Sequence, residues 1–203
     1  SKGSLAVCHN GNLTNAEELR SELEEGGSIF QSTSDTEVLV HLIAQSQRQT
    51  LLERAIDAIS QVEGAYSLLF LSEEEMIAAR DPHGFRPLAL GRFDDGGWVV
   101  ASESCALDLM EAEYVREIEP GEVGHFRGGE VRSLRPFQAT SRHACIFEYV
   151  YFARPDSIID NISVYRARMR MGERLADKIH RLHAQHDIDV VIPIPDTSRT
   201  SAL

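Results

Sequence analysis

The chain has 203 residues, with 20 Lys and Arg against 32 Asp and Glu, a formal charge of −12. Hydrophobic residues at 42% and charged residues at 26% are the balance of a globular protein, and a chain of this length buries enough core to need no disulfide or metal support. The acidic excess repels phosphate backbones and argues against nucleic acid, and no apolar run reaches the roughly 18 residues of a membrane span, so no membrane partner is expected either.

Three cysteines, Cys8, Cys105 and Cys145, are widely spaced, odd in number and without zinc-ligand spacing. They point away from a disulfide framework and toward a reducing, cytoplasmic setting. Ser1, Lys2, Gly3 and Ser4 do not start a signal peptide, there is no initiator Met, and the last residues follow directly on an apolar stretch and turn. Both ends read as cut, so an internal piece of a longer protein is expected.

In chain order, residues 5–8 predict a short strand, and His9-Asn10-Gly11-Asn12 a turn, because Asn-Gly readily takes positive φ. Thr14 or Asn15 then caps a helix carrying Leu19 and Leu23, stopped by Gly26-Gly27. Ser34 and Glu37 have capping-box spacing ahead of a second helix with an apolar stripe at Val38, Leu39, Leu42 and Ile43. A third helix is predicted over 51–62, with Leu52, Ala55, Ile56 and Ile59 on one face. Strands follow at 66–71 and 76–79. A hairpin joins 87–90 to 98–101 across Asp94-Asp95-Gly96-Gly97, and another joins 123–126 to 131–134 across Gly128-Gly129. The polar segment 135–142 is the candidate linker. Beyond it lie an apolar stretch at 146–152, a helix over 165–186, and a strand at 190–194 ending in Pro195-Asp196-Thr197-Ser198. Helices set before a run of antiparallel strands suggest packed sheets flanked by helices, and the last part suggests the start of a parallel α/β domain.

Four places can carry chemistry. A turn at Asn10 and Gly11 can aim a side-chain amide and a backbone N–H at one spot, the pair a tetrahedral oxyanion needs; on its own it is a common turn. Asp35, at a helix start, can bind an amino group or simply complement the helix dipole. The segment 80–88, Arg-Asp-Pro-His-Gly-Phe-Arg-Pro-Leu, reads as a loop fixed by Arg–carboxylate pairs, with His83 a turn histidine rather than a base. Thr197, past a strand end, can offer a hydroxyl to hydrated Mg²⁺ or phosphate, or can cap a helix.

Together, the motifs 9–15, 34–37, 64–67, 80–88 and 101–108 resemble the later part of a class II glutamine amidotransferase domain. The stretch 145–157, Cys-Ile-Phe-Glu-Tyr-Val-Tyr-Phe-Ala-Arg-Pro-Asp-Ser, followed by 190–198, resembles the amidophosphoribosyltransferase family within that group. The resemblance implies an α+β fold, the N-terminal-nucleophile αββα sandwich, over residues 1–135, and the start of an α/β type I phosphoribosyltransferase domain over 136–203. It implies hydrolysis of glutamine and transfer of the ammonia to phosphoribosyl pyrophosphate, giving 5-phosphoribosylamine for purine synthesis. It also implies purine nucleotides as feedback inhibitors and a homo-oligomer. By position, Asn10 and Gly11 match the family's oxyanion hole, Asp35 the carboxylate that binds the glutamine α-amino group, and Thr197 the hydroxyl associated with Mg²⁺.

The sequence departs from the family in two places. The family's N-terminal cysteine nucleophile and the Arg that clamps the glutamine carboxylate are absent, and neither Ser1 nor Cys8 replaces the first. The acidic phosphoribosyl-binding motif is absent too, so this piece alone is expected to be inactive. Some members bind a 4Fe–4S cluster through four cysteines, one at the position of Cys145; a buried structural cysteine is favoured here. The alternatives are another class II amidotransferase, or a non-catalytic scaffold of the same fold.

Overall fold

The computed structural model describes residues 4–138 and 140–203; Ser1, weighed above as a nucleophile, lies outside them. Strand β1 (Ala6–Leu13) is followed by three helices, α1 (Ala16–Glu25), α2 (Thr36–Gln45) and α3 (Leu51–Ile59). Then come β2 (Gly64–Leu71), β3 (Glu75–Arg80), β4 (Ala89–Arg92) and β5 (Trp98–Ala101), helix α4 (Ser104–Leu109), and β6 (Glu113–Glu117), β7 (Val123–Arg127) and β8 (Glu130–Leu134). All pairings are antiparallel: one sheet runs β1-β2-β3-β7-β8 and a second runs β5-β4-β6.

The alternation of side chains along each strand sorts them into layers. On one face of the larger sheet, Leu13, Tyr66, Leu68, Phe70, Ile77 and Val123 meet Leu23, Leu39, Ile43 and Ile59 of the three helices. On its other face, Leu69, Ala78 and Phe126 meet Leu88, Leu90 and Val100 of the smaller sheet. That sheet in turn covers its outer face with α4, through Ala89, Leu107 and Val99. The order is therefore helices, sheet, sheet, helix, as expected for the first part of the chain.

Four expectations need correction. The Asn-Gly dipeptide is not a turn: β1 runs straight through His9, Asn10, Gly11 and Asn12, each paired to β2 in the register Asn10↔Ser67 and Gly11↔Tyr66. A ladder to β2 outweighs local turn propensity. The expected Ser34/Glu37 capping box is not made. Asp35 is the residue before α2, and the Glu37 carboxylate instead accepts from the Gln31 and Ser32 N–H groups and the Ser32 hydroxyl. A capping box does form where none was expected, at α3: Thr50 Oγ1 accepts from Glu53 N, and Glu53 Oε2 accepts from Thr50 N. Helix α4 and strand β6 also went unforeseen, both being short.

The fourth correction concerns the end of the chain. Residues 146–152 hold a π-helix, Glu148–Phe152, followed by the small hairpin β9 (Ile158–Ile159) and β10 (Ile162–Ser163) and by α5 (Val164–Leu182). Tyr149, Ala153, Ile159 and Val164 form their own small core, and buried Arg168 of α5 donates to the Tyr149 and Ala153 carbonyls at 2.7 and 2.8 Å. Residues 190–194 form no strand, and Val190, Ile192 and Ile194 are 71%, 81% and 81% exposed. An extended apolar stretch becomes a strand only by bonding to a neighbour, and none of the described residues runs alongside it. A short helix, α6 (Arg199–Ala202), ends the chain.

Candidate functional site

Strand β1 is the spine of the site. Its odd-numbered residues, including Leu13, face the three helices, so the His9 side chain meets α2: Nδ1 lies 3.0 Å from Thr36 Oγ1 and 3.4 Å from Asp35 Oδ1. Burial pushes the His9 imidazole below its ordinary pKa, against the opposing pull of the Asp35 carboxylate, so the ring is neutral at pH 7. Its Nε2 is buried without a hydrogen-bond partner among the described residues. Asp35 is tied to the same strand, since Oδ2 accepts from Leu13 N at 2.9 Å. Asp35 and the 9–13 stretch are thus brought together by a bond between a helix start and a strand backbone.

Asn10 points the other way, toward the loops of the smaller sheet. Its Oδ1 accepts from Arg86 Nε at 3.2 Å and Nη2 at 2.5 Å, and its Nδ2 donates to Ser102 Oγ at 3.1 Å. Gly11 follows with φ at 150°, and a Cβ built there would lie 2.0 Å from the Ala65 carbonyl oxygen. Only glycine lets the strand lie this close to β2 while keeping this edge exposed. Asn10 and Asp35 therefore sit on the two sides of one strand, a few residues apart. The cavities at the start of β1, beside Val40 and Leu51, and along α5, beside Arg166 and Arg170, are lined by other residues.

The 80–88 loop is held as expected, and more firmly by carbonyls than by carboxylates. Buried Arg80 donates to Arg86 O at 2.7 Å, Ile118 O at 2.9 Å and Gly84 O at 3.2 Å. Asp81 accepts from the N–H groups of His83, Phe85 and Tyr66. The loop also reaches residues after 140. Arg86 Nη1 lies 2.6 Å from Glu148 Oε1, Arg80 lies 3.7 Å from Asp160, and Arg142 pairs with the same Asp160. His83 stacks on His143 with ring centroids 4.9 Å apart, a turn histidine as expected. The 101–108 motif grips the same region: Glu103 Oε2 accepts from Arg154 N at 2.8 Å and Ser157 Oγ at 2.6 Å, and Ser104 Oγ accepts from Ile158 N at 2.8 Å. Sequence reasoning assigned no role to 145–157. Its signal was there, in a buried-type Glu148 within an apolar run.

Thr197 lies far along the chain from these groups, in the turn before α6, and the neighbouring Asp196 faces Arg199 at 3.1 Å. No three His, Cys, Asp or Glu side chains among the described residues converge as a metal site. One hydroxyl beside a paired carboxylate is too small a ligand set for Mg²⁺. Cys145 is half-buried rather than buried, Cys105 is buried and Cys8 is exposed on β1.

A family model described as the glutamine amidotransferase domain matches residues 1–109. The chain belongs to the glutamine amidotransferase domain family. Similarity to individual members of the family continues past residue 109. The chain is 48% identical over 203 residues to amidophosphoribosyltransferase 2, chloroplastic, of Arabidopsis thaliana, covering 99% of this chain and 35% of that protein. It is 46% identical over 201 residues to the amidophosphoribosyltransferase of Bacillus subtilis, covering 99% of this chain and 41% of that one. The solved glutamine phosphoribosylpyrophosphate amidotransferase of B. subtilis, in complex with ADP and GMP, superimposes with a TM-score of 0.90 over 98% of this chain and 43% of that one, at 46% identity. This amidotransferase chain thus spans about two fifths of the length of these relatives. No described helix is long and apolar enough to cross a membrane.

Proposed function

We propose that the chain is the glutamine-handling part, and the first part of the acceptor-handling domain, of an amidophosphoribosyltransferase. The reaction is hydrolysis of glutamine and transfer of the ammonia to phosphoribosyl pyrophosphate, giving 5-phosphoribosylamine for purine synthesis. The observation that carries this reading is that identity of 46–48% with enzymes of that name covers 99% of the chain, well beyond the matched amidotransferase domain. A different class II amidotransferase would share the first half and diverge after it.

The layered sandwich of residues 1–135 is read as the N-terminal-nucleophile fold, and 136–203 as the start of the phosphoribosyltransferase domain. The Asn10 amide and the Gly11 N–H are the donors that receive charge as the glutamine carboxamide oxygen becomes tetrahedral. Asp35, a carboxylate tied to the same strand through Leu13 N, takes the glutamine α-amino group. Thr197 is assigned to the Mg²⁺–phosphoribosyl pyrophosphate side, where further residues complete the ligand set. Cys145 is read as structural. Purine nucleotides are proposed as regulators, since a relative is known in complex with ADP and GMP. A homo-oligomer and a reducing compartment, the cytoplasm in a bacterium, complete the reading.

The test is expression of the full reading frame that carries this chain, followed by assay of glutamate release with and without phosphoribosyl pyrophosphate. Release stimulated by that substrate, with phosphoribosylamine formed, is expected. A protein that hydrolyses glutamine but shows no response to phosphoribosyl pyrophosphate would return the chain to the wider amidotransferase group.

A further inference from the structure

An oxyanion donor must present N–H, yet an asparagine carboxamide has two nearly isosteric ends, and a flip would present oxygen instead. In this chain one neighbour decides between them. The Arg86 guanidinium has only donors, so the atom 2.5 Å from its Nη2 and 3.2 Å from its Nε must be the amide oxygen. Nδ2 is thereby fixed as the end away from the guanidinium. One of its hydrogens goes to Ser102 Oγ at 3.1 Å, and the second has no partner among the described residues.

Arg86 is in turn fixed from a single element. The π-helix places the Glu148 carboxylate 2.6 Å from Arg86 Nη1 and the Phe152 ring 5.1 Å from its central carbon. Glu148 is buried, and its Oε1 has no hydrogen bond of good geometry, so the Arg86 charge is what compensates it. A π-helix is an uncommon local choice that recurs at functional sites, and here it sets an anion and an aromatic face around one guanidinium. The other partner of Asn10 is braced from the same region, because Ser102 precedes Glu103, which holds Arg154 N and Ser157 Oγ.

We propose that Arg86 is a positioning residue for glutamine hydrolysis, fixing which end of the Asn10 carboxamide carries the N–H groups, and that Glu148 and Phe152 hold Arg86. This rests on the reading of Asn10 as an oxyanion donor. It also makes residues 148–157 part of the glutaminase machinery, although they lie outside the matched amidotransferase domain. A movement of that segment would reach the amide through two hydrogen-bonded side chains.

The test uses the full reading frame and steady-state glutamate release. Arg86→Gln is expected to lower kcat by about ten- to a hundredfold, the scale of a mis-aimed oxyanion donor, with KM for glutamine changed by no more than about twofold. Arg86→Lys, which keeps the charge but not the fork, is expected to fall between. Combined with Asn10→Ala, Arg86→Gln is expected to add no further loss, because the two act as one unit. Losses that multiply in the double variant, or a wild-type kcat for Arg86→Gln, overturn the proposal. Should Arg86→Gln fail to fold by circular dichroism, Glu148→Gln, which leaves both Arg86 and Asn10 in place, is expected to lower kcat severalfold, again without further loss on top of Asn10→Ala; a wild-type kcat there overturns it equally. A wild-type kcat for Asn10→Ala alone removes the oxyanion reading itself, a result distinct from failure of Arg86 to act through Asn10.

Discussion

Asn10, Gly11 and Asp35 occupy one short stretch of space, yet each is held by a different kind of contact, and each therefore fails differently when changed. Asn10→Ala in the full reading frame removes the proposed oxyanion donor and is expected to lower the kcat for glutamate release by about 10²-fold. Asp35→Ala is expected mainly to raise KM for glutamine, since its proposed contact is made equally before and during reaction; an unchanged KM in a folded variant would take Asp35 out of the site. Gly11→Ala meets both a backbone clash with Ala65 and a φ of 150° that side chains avoid. It is expected to cost about 1–3 kcal/mol, seen as a melting temperature lowered by about 2–4 °C per kcal/mol. The residue types were legible in the sequence because an amide followed by glycine is a recognisable donor pair. Their geometry was not. A turn was the local expectation for 9–12, and pairing to β2 made it a strand. The neutral, buried His9 beside Asp35 went unseen, because burial is a property of the layers and not of the motif.

At the scale of elements, helix faces followed from periodicity and helix starts did not. Val38, Leu39, Leu42 and Ile43 are all buried, as their spacing demanded. Both Ser34/Glu37 and Thr50/Glu53 have capping-box spacing, and only the second pair makes one, because at α2 the Glu37 carboxylate is taken by residues 31 and 32. Thr50→Ala is therefore expected to destabilise by about 1 kcal/mol, while Ser34→Ala stays within about 0.5 kcal/mol of the parent; urea unfolding of the two variants compares them directly. The bonds from the Ser32 hydroxyl and from the Gln31 and Ser32 N–H groups lower the Glu37 carboxyl to a pKa of about 2. A carboxyl lowered on folding stabilises the fold above its ordinary pKa and loses that contribution as pH falls toward 2. Glu37→Gln is expected to flatten the acid limb of stability between about pH 4.5 and 2, read as the dependence of melting temperature on pH. An acid limb identical to the parent would mean that these bonds contribute nothing in solution.

For the whole molecule, the question is what joins the sandwich to the segment after residue 140. The apolar cluster around Tyr149 and Val164 is built from residues after 140, and polar side chains reach to that segment from the sandwich. Arg80 is the central one, 1% exposed, bonded to three carbonyls and lying 3.8 Å from Glu117 and 3.7 Å from Asp160. Burial raises the Glu117 carboxyl, and Arg80 is the largest influence opposing that rise. Arg80→Met leaves the Glu117 carboxylate without its ion-pair partner and three carbonyls without their donor, and is expected to cost about 3–5 kcal/mol in urea unfolding. A loss under about 1 kcal/mol would show that water replaces the guanidinium at little cost.

By itself the amino-acid sequence determined the layer-forming stripes, both hairpins, the donor-bearing residue types at 10 and 11, the carboxylate at 35, and the likeness to glutamine amidotransferases, all of which are written in patterns a few residues long. Tertiary structure alone decided that the Asn-Gly stretch is a paired strand, that 190–194 is left without a strand partner, and that Arg86 and Glu148 stand behind Asn10. Those outcomes depend on hydrogen bonds and charges between residues tens of positions apart, and a partner that arrives from another layer leaves no mark on the local pattern.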